Sequence, residues 1–216
     1  LELNVALHLG TLLSILWVYR ADLITLPRRP RLCGLMILAT LPLVIVGLTL
    51  KDWVAAELQT PFVAGLGLLV TAAVLFLARR LERDEIPLER FSWGGALLVG
   101  LFQAVAIAPG VSRSGSTIAA GLLMGLRRDA AARFSFLIAI PAISGAAILI
   151  GLGQFGDEPG GHPLPVLLTG AATSFVVGLI VLRWLIGVIV RGRLHWFAWY
   201  CGALGAATVI WQVAQG

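Results

Sequence analysis

Ala108-Pro109-Gly110-Val111-Ser112-Arg113-Ser114-Gly115-Ser116-Thr117 places one arginine inside a stretch, 91 to 126, that otherwise holds no Asp, Glu, Lys or Arg. The rest of the chain makes that arginine unusual. Of 216 residues, 59% are AVILMFWYC, 25 more are glycine and only 12% are charged, with a mean hydropathy of +0.95. So few charges cannot cover a soluble globule, and the composition equally excludes disorder, a coiled coil or a small disulfide scaffold. The chain reads as an all-α, polytopic membrane protein in one domain, 1–216. Arg113 is then a charge sunk in hydrocarbon, which costs about 2.5–3.5 kcal/mol near the bilayer centre even on the lenient insertion scale.

Outward from Arg113, charge-free runs cover 3 to 19, 32 to 50, 58 to 78, 134 to 156, 159 to 182 and 194 to 216. Most reach the ~20 residues that cross a ~30 Å core as helix. The 36 residues of 91 to 126 are long for one crossing and short for two. Arginine placement resolves this, because cytoplasmic loops collect Lys and Arg. With the first span ending inside, 14 of the 16 basic residues fall on the cytoplasmic side, provided that both ends of 91 to 126 face it too. The expected architecture is therefore six transmembrane helices plus one re-entrant helix hairpin, 91–126, bent at Pro109-Gly110 and Gly115. The net charge of +5 is then a topology signal and not a nucleic-acid footprint.

Residues 4 to 19 (NVALHLGTLLSILWVY) resemble 135 to 150 (SFLIAIPAISGAAILI) in spacing. This predicts inverted-topology repeats, with three spans of a first unit in 1–80 and a second unit, hairpin included, in 91–216. By that symmetry about 40 residues forming a partner hairpin should precede Leu1.

The bend carries the chemistry. Pro109 and Gly110 break the first arm, Ser112 and Ser114 suit a helix N-cap, and a fresh helix start aims unpaired N–H groups at whatever lies beyond it. Gly110 and Gly115 allow close backbone approach, Ser112, Ser114, Ser116 and Thr117 add hydroxyls, and Arg113 offers a planar fork suited to bidentate phosphate binding. A structural arginine that snorkels is the plain alternative. The string also approaches a Walker A loop, but Ser116 replaces the lysine and no strand precedes it. From Arg113 to Arg127 runs about 21 Å of helix at ~1.5 Å per residue, which sets an untilted bend beyond mid-membrane toward the outer face, while tilt brings it back toward the centre.

The string APGVSRSGST, the segment RRDAAARFSFLIAIP at 127 to 141 and NVALHLGTL near the start resemble the undecaprenyl pyrophosphate phosphatase family (BacA/UppP) along essentially the whole chain. The resemblance implies hydrolysis of undecaprenyl pyrophosphate to the monophosphate in the bacterial cytoplasmic (inner) membrane, recycling the lipid carrier of wall synthesis, with the active site toward the outer face. It implies a catalytic role for Arg113, Ser112 and Ser114, and phosphate binding by Gly110, Arg113, Ser114, Gly115, Ser116 and Thr117. It also implies a Mg²⁺ or Ca²⁺ cofactor, yet the family's Glu-x-x-x-Glu pair, Ser-rich loop and His are absent from this sequence, and no metal ligand is assigned. The partners expected are a polyprenyl pyrophosphate lipid, membrane lipids and, compatibly, a second copy in a homodimer; no nucleic acid is expected. A transporter or flippase of a phosphorylated lipid is the competing reading, since broken helices in inverted repeats also serve transport.

Other residues read less specifically. Gln103, one to two turns before the break, is a candidate for the bend or its ligand, or for helix packing. His8 on the first span is a candidate proton carrier or a packing residue. His162 and His195 read as interfacial, and the seven Trp residues fall mostly near span ends, as an aromatic belt does. Cys33 and Cys201 have no ligand-spaced neighbours and read as packing residues.

Overall fold

The computed structural model describes residues 2–50, 53–153 and 163–215. Lys51, Asp52 and the loop carrying His162 lie outside the described residues. The described residues form helices: α1 (Glu2–Val18), α2 (Arg20–Thr25), α3 (Pro30–Thr49), α4 (Pro61–Leu81), α5 (Trp93–Val105), α6 (Arg113–Leu123), α7 (Arg128–Gly153), α8 (Leu164–Val190) and α9 (His195–Gln215). Five of them, α3, α4, α7, α8 and α9, are long and apolar enough to cross a membrane. A sixth crossing results if α1 and the short helix after it, bent by 68° against each other, count as one span.

Local chemistry sets the ends. Thr60 caps α4 by accepting the Val63 N–H at 3.2 Å, with Pro61 at the first helical position, where a missing N–H costs no hydrogen bond. Ser92 caps α5 through the Gly95 N–H at 3.0 Å. At the other end of the hairpin α6 stops on Gly125, φ +84°, whose N–H donates to Leu122 O while Leu126 N–H donates to Gly121 O. This left-handed cap satisfies two terminal carbonyls.

Helices α5 and α6, at 13 and 11 residues, are about 20 and 16 Å long and too short to cross. They pack side by side as a hairpin. Its two open ends lie on one face. Ile86, just after α4, receives Arg127 N–H at its carbonyl and donates to Gly125 O, while Arg31 at the start of α3 donates to Glu89 O and Phe91 O just before α5. Arg133 pairs with Asp22 and stands 4.0 Å from Glu89, and Arg128 pairs with Glu82 at 2.5 Å. Phe91 and Phe134 close the base edge to face, centroids 5.3 Å apart.

The interior is built around α6, buried from Gly115 through Leu122 and surrounded by α4, α5 and α7. Outside this group α1 packs on α8, and α4 packs on α9. The last pair meets at Gly65 and Gly205, where a Cβ added to Gly205 would stand 2.8 Å from Gly65 O. Without a hydrophobic drive between helices in lipid, such backbone proximity supplies the packing. The large exposed apolar side chains, among them Trp184, Trp196, Trp199 and Tyr200, are those expected of a lipid-facing surface.

Candidate phosphate-binding site

The hairpin bends between Val105 and Arg113. Gly110 takes φ +80°, and a Cβ there would stand 1.9 Å from Ala64 O on α4. Across the same contact a Cβ on Gly67 would stand 2.1 Å from Pro109 O. Only glycine fits on either side. The bend therefore rests on α4 within two turns of its start. Gly67 to Leu81 is about 21 Å of helix at ~1.5 Å per residue, so the bend stands about that far from the C-terminal end of α4.

One side chain that the sequence reading missed fixes this contact. Thr71 of α4, buried, accepts the Ser112 N–H at 3.0 Å and donates to Gly67 O at 2.9 Å, with Gly110 O at 3.3 Å. A threonine one turn after a glycine in an apolar helix gives no signal of this in sequence. It ties both sides of the bend to α4.

Ser112 is the N-cap of α6, its Oγ accepting the Gly115 N–H at 3.2 Å and its carbonyl the Ser116 N–H at 2.8 Å. Ser114 is thus inside the first turn, not the cap. Arg113 N–H and Ser114 N–H have no hydrogen-bond partner among the described residues, as expected of the first positions of a helix. The Arg113 guanidinium likewise makes no ion pair or hydrogen bond among the described residues, and Ser114 Oγ makes none. Ser112, Arg113 and Ser114 are each half-buried. Two amides, one guanidinium and one hydroxyl, all donors, are therefore together at a positive helix end.

The remaining predicted site residues divide from this group. Gly115, Ser116 and Thr117 are buried. The Thr117 hydroxyl donates within its helix to Arg113 O at 2.9 Å and lies 2.6 Å from Ser135 Oγ on α7, so it fastens α6 to α7. Gln103 is fully buried; its Nε2 donates to Ala39 O of α3 at 3.3 Å, and its Oε1 has no partner. It serves the α3–α5 contact. His8 is exposed on α1, whose neighbours are α7 and α8, while α6 packs on α4, α5 and α7.

No group of three or more His, Cys, Asp or Glu that could hold a metal occurs among the described residues. Of the described acids, Asp22, Glu82, Asp84, Glu89 and Asp129 line the hairpin base, paired with arginines, while Glu57 is exposed just before α4. A hard divalent ion needs several oxygen ligands, carboxylates among them. The donors at the bend are hydrogen-bond donors instead, and do not fit Mg²⁺ or Ca²⁺.

Residues 1–207 match the family model described as bacitracin resistance protein BacA. Among similar proteins, an undecaprenyl-diphosphatase of Rhodopirellula baltica is 45% identical over 210 residues, covering 96% of this chain and 82% of that protein. The undecaprenyl-diphosphatases of Desulfosudis oleivorans and Desulfatibacillum aliphaticivorans are 40% and 36% identical, over 95% and 97% of this chain and 82% and 84% of theirs. A match of this extent, which takes in the PGVSRSGST bend, settles the kinship: the chain belongs to the BacA family.

Proposed function

We propose that the chain hydrolyses undecaprenyl pyrophosphate to undecaprenyl phosphate and inorganic phosphate, with the hairpin bend holding the pyrophosphate. The carrying observation is the unpaired Arg113 guanidinium beside the free N–H groups of Arg113 and Ser114 on a helix start that α4 holds rigidly. A half-buried cation with no counter-charge is costly, and a polyanion arriving at it offsets that cost. The relatives' names favour hydrolysis over transport of such a lipid.

Attack on the terminal phosphorus forms one P–O bond and breaks the anhydride P–O bond, releasing the lipid monophosphate; with water as nucleophile inorganic phosphate forms at once, and with a hydroxyl as nucleophile a water then cleaves the phosphate ester to release it. Negative charge gathers on the equatorial and bridging oxygens as this happens. Arg113 neutralises it with two parallel N–H···O bonds, and the backbone amides add donors already oriented. Ser112 Oγ is held as the helix cap by Gly115 N–H but keeps its own proton to donate. Ser114, with no bond of its own, is free to contact the phosphate.

The basic face, which carries Arg28, Arg29, Arg79, Arg80, Arg127 and Arg128, is cytoplasmic by the positive-inside rule. The bend then opens toward the outer face of the cytoplasmic membrane.

Phosphate release from undecaprenyl pyrophosphate in detergent tests the reading. Arg113→Ala should lower turnover about 100-fold or more, the scale of losing one charge-stabilising donor group. Arg113→Lys should recover only a small part, because an ammonium cannot reproduce the fork. Unchanged turnover in Arg113→Ala would refute the assignment.

A further inference from the structure

A second concave site lies at the opposite end of the molecule from the bend. Between the C-terminal turns of α8 and the first turns of α9, a cavity of about 520 Å³ is lined by Trp184, Val188, Arg191, Arg193, Trp196, Phe197 and Tyr200. α8 ends at Val190, with Gly192 at φ +67° and its N–H donating to Ile189 O. The chain turns back at once into α9, which leaves an open elbow between the two helices.

The two sides of the elbow differ in chemistry. Trp184, Trp196 and Tyr200 are more than half exposed, and Trp184 meets Phe197 edge to face at 5.8 Å. Arg191 and Arg193 are exposed and belong to no ion pair among the described residues. By contrast Arg127, Arg128 and Arg133 on the same face are all paired with acids. The Arg191 guanidinium lies back along α8: its Nη2 would be 3.2 Å from a Cβ added at Gly187. The charge is thus set one turn deep, over a glycine that leaves room for it. A cation near a helix C-terminus offsets the dipole. That accounts for one guanidinium at the carbonyls, not for two beside an aromatic-walled hollow at the membrane boundary.

We propose that this elbow binds an anionic glycerophospholipid from the leaflet on the basic side, its phosphodiester between Arg191 and Arg193 and its acyl chains along Trp184, Val188 and Tyr200. Charge complementarity selects the occupant: basic hollows between transmembrane helices on this side take acidic headgroups, and interfacial Trp and Tyr pack at headgroup depth. The site is separate from the pyrophosphate seat, which lies at the far end of the hairpin, and it does not depend on the reaction assigned there.

Native mass spectrometry of the full chain in detergent, with equimolar dioleoylphosphatidylglycerol and dioleoylphosphatidylcholine, tests it. The parent should retain one phosphatidylglycerol per chain in preference to phosphatidylcholine. Arg191→Gln with Arg193→Gln should weaken that retention roughly 30-fold, the factor supplied by two basic residues at an anionic lipid surface. Arg28→Gln with Arg80→Gln, which removes equal charge from the same face, should leave it unchanged. Gly187→Leu should weaken it without altering charge, by displacing the Arg191 guanidinium. Helical circular dichroism and melting temperature should match the parent in each variant. Equal retention of both lipids, equal loss in the two double variants, or a second copy of the chain in place of lipid would each overturn the proposal.

Discussion

The phosphate-binding role proposed for Arg113 rests on the atoms around it being already committed. Ser112 caps, Thr117 ties α6 to α7, and Thr71 holds the Ser112 N–H, so the free donors are those a phosphate would meet. Thr71 is accordingly a positioning residue. Thr71→Val keeps the volume but strands the half-buried Ser112 N–H, which costs up to about 1–3 kcal/mol. The expected result is a lower melting temperature and a raised KM for the polyprenyl pyrophosphate, with Thr71→Ser restoring both. Ser114→Ala should reduce turnover at an unchanged melting temperature, whereas Ser112→Ala should lower both, since a lost N-cap costs about 0.5–2 kcal/mol. Parallel melting curves and phosphate-release assays separate the two serines. The motif made Ser112, Arg113 and Ser114 legible in sequence, but the inward turn of Thr117 and the part played by Thr71 depend on α4 and α7, which no local pattern reports.

The hairpin depends on two close approaches to α4 that tolerate no side chain. Gly110→Ala adds a strained positive φ to a Cβ 1.9 Å from Ala64 O, and should abolish phosphate release while the protein still inserts and remains helical. Gly94→Ala, in the first turn of α5 with nothing within 4 Å of the added Cβ, should be neutral or slightly stabilising, as alanine exceeds glycine in helix propensity by about 1 kcal/mol. Activity and circular dichroism on both variants check this. At this level the sequence was informative: the 36-residue run too long for one span and Arg133, Arg127 and Arg128 beyond it already required a hairpin with both ends on one face. What it left open was how α1 ends. Arg20 and Asp22 follow the apolar run at once, yet α2 continues as helix at 68°, its Asp22 drawn to Arg133 across 111 positions of sequence.

The ion pairs on the basic face form a ring of clasps: Asp22 with Arg133, and Glu82 and Asp84 with Arg128. They hold the start of α7 against the loop after α4 and the helix after α1. Replacing Asp22 with Asn leaves Arg133, whose Nε is already buried without a partner, short of its counter-charge. The expected loss is about 1.5–3 kcal/mol, the range for hydrogen bonds to charged groups, read as a fall in thermal midpoint in detergent. The all-helical, multi-span character and the lipid-facing surface were visible in composition and run length, but pairing of α1 with α8 and α4 with α9 was not, because small residues meet wherever backbones are brought together. That last pairing has a mechanical corollary. Gly65 and Gly67 occupy a single turn of α4, one pressed on Gly205 of α9 and the other on Pro109 of the bend. A rod gripped on both flanks of one turn relays tilt, so thinning or thickening the surrounding bilayer, by leaning α9, should retune the catalytic rate. Reconstitution in short-chain and long-chain phosphatidylcholines would register that mechanosensitivity directly.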